Sequence, residues 1–110
     1  MAIKTSKLSD FTGGWFVGNF NPSLNKNEHF EIAVKHYPAG AKEQRHVHRV
    51  AVEYTIITKG CVMMNGIKYF QGDIIVVPPG ESTDFEALDD VCTTVVKTPS
   101  VRGDKYYTSL

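Results

Sequence analysis

Cysteine, tryptophan and net charge are all scarce in this chain. Its 110 residues include two cysteines, one tryptophan, and twelve basic residues against twelve acidic ones. Cys61 and Cys92 are too few for a disulfide framework. They read as small buried hydrophobes, and a reducing cytoplasm is the expected location. With no excess of Lys or Arg there is no broad phosphate-binding surface, so no nucleic acid partner is expected. No apolar run approaches the roughly 20 residues that cross a bilayer. The opening residues Met1 to Asp10 carry no apolar leader core. No membrane association is therefore expected. Helical periodicity is nearly missing as well, which argues against a helical bundle or a βαβ fold.

What remains is a pattern of short β-branched and aromatic runs broken by Gly, Pro, Asn and Asp. The length suits one domain over residues 1–110, and the pattern reads as all-β, a sandwich or a barrel. Strands are expected at Trp15–Phe20, His29–Tyr37, Glu53–Lys59, Cys61–Asn65, Ile67–Phe70, Asp73–Val77 and Val91–Thr98. Asn65-Gly66 lies between two apolar runs and predicts a two-residue hairpin turn, because both positions need positive φ. Pro78-Pro79-Gly80 stops the strand before it. Residues 1–12 are weakly patterned and read as a loose arm or as an edge strand lent to a partner subunit.

The chemistry concentrates between Gly40 and Gly60. His46 and His48 are two apart, so on a strand both imidazoles face one side. Glu53 follows five residues after His48. That odd separation would turn it to the opposite face of an unbroken strand. A shared site therefore requires a turn or bulge within Arg49 to Val52. Two imidazoles and a carboxylate suit one divalent transition metal: Fe, Mn, Ni, Cu or Zn. The same histidines could instead be a hydrogen-bonded pair in a barrel mouth.

The spacing G-x5-H-x-H-x4-E-x6-G, from Gly40 to Gly60, resembles the first signature of the cupin family. Gly72 to Gly80 resembles the start of the second, G-x5-P-x-G-x2-H-x3-N. The resemblance covers roughly residues 28–98 and implies a cupin-type jelly-roll barrel (a double-stranded β-helix) around one small-molecule cavity. It implies metal ligation by His46, His48 and Glu53. The third metal-binding histidine of the family falls on Thr83 here, and its asparagine on Ala87. Threonine is a poor transition-metal ligand, although its hydroxyl can hydrogen-bond a substrate. A replacement ligand could come from Glu81, Asp84 or Glu86. The site could also bind an organic ligand without metal.

Thr55 alternates onto the same face as Glu53, so Thr55 and Thr83 are the candidate substrate contacts. His29 and His36 could supply a general acid or base, but read first as surface or core histidines. Trp15, Phe16 and Phe20 are expected to pack the barrel or cover an open end. Arg102-Gly103-Asp104 reads as a polar turn, and Lys97 and Lys105 as solvated. The resemblance implies an enzyme on a small polar metabolite, with isomerase, epimerase or oxygenase chemistry. The alternative is a non-catalytic binding or interaction module. A homodimer is expected if the aromatic N-terminal segment supplies an apolar face.

Overall fold

The computed structural model describes residues 2–109. They form ten strands: β1 Trp15–Val17, β2 Glu31–Tyr37, β3 Lys42–Val47, β4 Val52–Lys59, β5 Cys61–Met64, β6 Ile67–Phe70, β7 Ile74–Val77, β8 Ser82–Ala87, β9 Val91–Thr98 and β10 Tyr106–Tyr107. Two five-stranded sheets result, ordered β1-β2-β9-β4-β7 and β10-β3-β8-β5-β6. Every pairing is antiparallel. The all-β expectation from the strand pattern holds, as does the jelly roll that the motif resemblance implies.

Three strands are absent from the sequence expectation: β3, β8 and β10. The reason is local composition. β3 reads Lys-Glu-Gln-Arg-His-Val and β8 reads Ser-Thr-Asp-Phe-Glu-Ala. Both lack β-branched apolar runs, and tertiary pairing overrides that weak propensity. Residues 2–7 are exposed and irregular, and residues 8–14 form two short 3-10 turns. The Asn65-Gly66 turn has φ of 50° and 76°, as its two-residue hairpin requires.

The two inner faces are not uniform along the strands. At one end Ile57, Val62, Met64, Val77, Phe85, Ala87 and Val91 form a closed apolar cluster. Towards the other end the inward positions turn polar. On β4 the sequence runs Ile57, Thr55, Glu53; on β9 it runs Val91, Thr93, Val95, Lys97; on β8 it runs Ala87, Phe85, Thr83. One end of the barrel is thus a core and the other is a lined cavity. The dry end supplies the hydrophobic stabilisation, at about 25 cal/mol per Å² of apolar surface buried. Ile57, with no exposed surface, sits at its centre.

Ile57→Ala is expected to lower stability by about 3 kcal/mol, the usual range for a fully buried large-to-small change. Chemical denaturation with an unchanged m-value measures it.

Candidate metal centre and cavity

Strand β3 belongs to one sheet and β4 to the other, so the chain must turn sharply between His48 and Glu53. This is the turn that parity demands. Asp104 holds it. Its Oδ1 accepts the backbone N–H of Arg49 at 2.8 Å, its Oδ2 accepts that of Ala51 at 2.9 Å, and the N–H of Val50 reaches both at 3.2 and 3.3 Å. The Asp104 side chain is buried, which by itself raises a carboxyl pKa. The three backbone donors outweigh that cost and hold Asp104 below the usual aspartate range. Strand β10 follows immediately and pairs with β3, which fixes Asp104 in place.

The same residue orients a histidine. The Asp104 carbonyl oxygen lies 2.5 Å from His48 Nδ1. The Gln44 carbonyl lies 3.0 Å from His46 Nδ1. A carbonyl only accepts, so each Nδ1 carries the proton and donates it. The Nε2 of each ring is the nitrogen that remains for a ligand. That is the second-shell arrangement of metal-ligating histidines. The ring centroids stand 5.1 Å apart at 67°. One ligand atom from each of His46, His48 and Glu53 lies within 4.8 Å of the others, and this is the group with metal-binding geometry among the described residues.

His48 Nε2 is buried and makes no hydrogen bond, and it lies 3.4 Å from Glu53 Oε1. A lone pair facing a carboxylate oxygen is unfavourable unless a proton or cation sits between them. Burial lowers the His46 pKa, partly offset by the Gln44 carbonyl, so His46 favours its neutral form. Burial raises the Glu53 pKa, but His48, Lys97 and the Thr55 hydroxyl bring the balance below the ordinary glutamate value. A neutral His46 beside an ionised Glu53 matches the protonation states that metal binding needs. The donor set therefore fits a divalent transition metal.

A cavity of about 150 Å³ opens beside this group. Thr55 and Thr83 both line it. Thr55 Oγ1 donates to Glu53 Oε2 at 3.0 Å, leaving Oε1 towards the histidines. Thr83 is the cross-strand partner of His46, and its hydroxyl donates to the Asp84 carbonyl at 2.7 Å. The three acids considered as replacement ligands lie outside the ligand cluster. Asp84 pairs with Arg45 at 3.4 Å, Glu86 faces Lys42 at 4.0 Å, and Glu81 is exposed.

Several lining residues escape a reading of the sequence. A register shift between Glu43 and His46 in β3 turns both inward despite their odd separation. Glu43 then accepts a hydrogen bond from Tyr37 Oη at 3.1 Å and lies 3.9 Å from Lys35 Nζ. Glu31, Lys97 and Glu53 are directly opposed across β2, β9 and β4. Burial raises the Glu31 pKa above the ordinary value, against the opposing pull of Lys97 and Ser100. Lys97 is partly buried and lines the cavity, so the expectation that it is solvated is corrected. Its inward parity on β9 explains the placement. Arg102 and Gly103 form the expected polar turn, closed by the Asp104 N–H on the Val101 carbonyl at 3.4 Å, but the Asp104 side chain is only 6% exposed. Lys105 is exposed but reaches the cavity rim, while His29 and His36 face solvent. Trp15 lines the cavity, with Lys97 Nζ 4.8 Å from its ring centroid.

No family model matches the sequence, and no curated protein matches it. Solved structures do match. An uncharacterised double-stranded β-helix protein from Klebsiella pneumoniae aligns over 97% of this chain and 93% of its own, at 17% identity and a TM-score of 0.72. KdgF from Halomonas sp. aligns over 69% of this chain and 74% of its own, at 18% identity and a TM-score of 0.63. A cupin-superfamily sugar phosphate isomerase from Silicibacter pomeroyi aligns over 74% of this chain and 58% of its own, at 22% identity and a TM-score of 0.63. The architecture reached from the residues is thus the cupin fold.

Asp104→Ala is expected to destabilise the protein by roughly 2–4 kcal/mol, because three backbone donors lose a charged acceptor. The Asp104 contribution is complete above the pKa of an unfolded aspartate and is lost as pH falls through the lower folded value. The gap between wild type and variant should therefore narrow at strongly acidic pH. Thermal or denaturant melts across pH check both points.

Proposed function

We propose that this cupin-fold protein binds one divalent transition metal through His46, His48 and Glu53 and acts on a small polar metabolite in the adjoining cavity. The observation that carries this reading is the convergence of three ligand atoms, with the buried Nε2 of His48 3.4 Å from Glu53 Oε1 and making no hydrogen bond, while its Nδ1 is tied to a backbone carbonyl. A divalent ion there supplies Lewis acidity to a ligand oxygen. The chain does the rest. Thr55 fixes the Glu53 carboxylate, and Asp104 and Gln44 fix the imidazole tautomers. Thr83 offers hydroxyl lone pairs to a substrate at the position opposite His46. Trp15 walls the cavity.

Glu31 and Lys97 also face the cavity without belonging to the ligand group. Burial raises the Glu31 pKa, which improves its reach as a proton carrier near neutrality. A carboxyl and an amine one strand apart suit proton-shifting chemistry. Isomerisation or epimerisation is therefore favoured over oxygenation. The S. pomeroyi neighbour described as a sugar phosphate isomerase agrees with that class. Thr83, standing where a third histidine would sit, favours the alternative of a metal-free binding module.

Metal analysis of purified protein separates the two. Close to one equivalent of ion per chain is expected, and a His46→Ala/His48→Ala variant with an unchanged circular dichroism spectrum should lose it. Wild type that stays folded and takes up no Zn, Mn, Fe, Ni or Cu would sink the metal reading.

We also propose a homodimer through the outer face of the β1-β2-β9-β4-β7 sheet. Ile32, Val96, Tyr54 and Val76 lie side by side across four strands, and Val34, Thr94, Ile56 and Ile74 form a second row beside them. Ile74 and Val76 are 63% and 54% exposed. Two mostly apolar rows are an unusual face for a solvated monomer. Light scattering should give a dimeric mass that Ile74→Glu halves; a monomeric wild type at high micromolar concentration refutes the dimer.

A further inference from the structure

The geometry points to a small organic monocarboxylate as the cavity's ligand, with its carboxylate held by Lys97 and Lys105 beside Trp15. This rests on the metal reading above and specifies the substrate class. Lys97 is directly opposed to Glu53 on one side and Glu31 on the other. Its ammonium is partly buried, yet among the described residues it makes no hydrogen bond and no ion pair within 4.0 Å. Its Nζ lies over the face of Trp15, 4.8 Å from the ring centroid, within the fields of the Glu53 and Glu31 carboxylates. A partly desolvated ammonium stacked on an aromatic ring still has three donors to satisfy. Lys105 lines the same space, and both lysines also line a second cavity that adjoins the first.

The other charges are already matched. Lys35 is held by Glu43, and Asp84 is held by Arg45. Glu53 is committed to the ion. With a divalent ion bound, the ion, Lys97 and Lys105 carry more positive charge than Glu53 and Glu31 offset, which favours an anionic ligand. Among the described residues no arginine lines the first cavity; Arg102 lines the second, where its Nε donates to the Asn19 carbonyl at 2.9 Å. Lysines act as point charges and hold a carboxylate without needing the bidentate geometry of an arginine fork. Glu31 and Glu53, flanking Lys97, would repel the second charge of a phosphate dianion more than they repel a single carboxylate. The short step from Glu53 to Lys97 suits a compact acid whose polar oxygen approaches the ion while its carboxylate meets the lysine.

The test uses the full chain loaded with zinc, which suits NMR because it is diamagnetic. Lactate, 3-hydroxybutyrate and 2-oxobutyrate are compared with their neutral amides and with inorganic phosphate by ligand-observed titration. At least one acid should bind about tenfold or more tightly than its amide, and Lys97→Met should erase that preference. Lys97→Arg should retain part of it. Zinc affinity, titrated separately with the metal alone, should fall no more than threefold in Lys97→Met, which shows that the ligand cluster is intact. Equal binding of acid and amide, binding unchanged in Lys97→Met, tighter binding of phosphate, or no binding of any acid overturns the proposal. Failure of the metal reading gives a different result: zinc does not bind to wild type at all.

Discussion

The three backbone hydrogen bonds accepted by Asp104 decide where the site residues go. They tie the N–H groups of residues 49–51 to one carboxylate where the chain bends from one sheet into the other. The carbonyl of the same residue sets the tautomer of His48. One side chain therefore brings Glu53 round to the histidines, and one backbone oxygen frees the imidazole nitrogen that faces it. Stability and ligand geometry pass through a single position. The cost of burying the carboxylate is met by charge-assisted bonds, which are stronger than neutral ones. Arg49, stacked 3.8 Å from the Tyr106 ring centroid, adds a second tie between the turn and the strand that follows Asp104.

The cavity depends on the way polarity changes along each strand. Period-two alternation sets which side chains point inward, and position along the strand sets whether they are dry. Ile57, Thr55 and Glu53 show the whole transition on one strand. The apolar end closes and packs. The polar end cannot close, since Glu31, Lys97, Glu53 and the histidines need partners or water. A bulge in β3 adds Glu43 to that end and gives Tyr37 and Lys35 something to bind.

Much of this was legible in the sequence. The β-rich pattern, the Asn65-Gly66 hairpin and the spacing around His46, His48 and Glu53 point to the fold, and the parity of Glu53 foretells a turn. Strands β3 and β8 were not legible, because their compositions are polar and their order comes from pairing. Asp104 was not legible either. Nothing near it in sequence marks it, and its partners lie more than fifty residues away. Lys97 shows the opposite case. Inward parity on β9 was available, but a lysine is so often solvated that its direction needed the sheet to be seen. Glu43 required knowledge of a bulge, which leaves no local signal in Lys-Glu-Gln-Arg-His-Val.

Splitting the barrel into a dry end and a wet end has an evolutionary consequence. Substitutions at Thr55, Thr83 or Thr93 fall outside the apolar cluster at the closed end. Such positions can drift towards new ligands at little risk to the scaffold. The same separation sets up a conflict: replacing buried wet-end groups with aliphatic ones would make a hardier protein with nothing left to bind. A lineage selected only for durability would fill its own cavity.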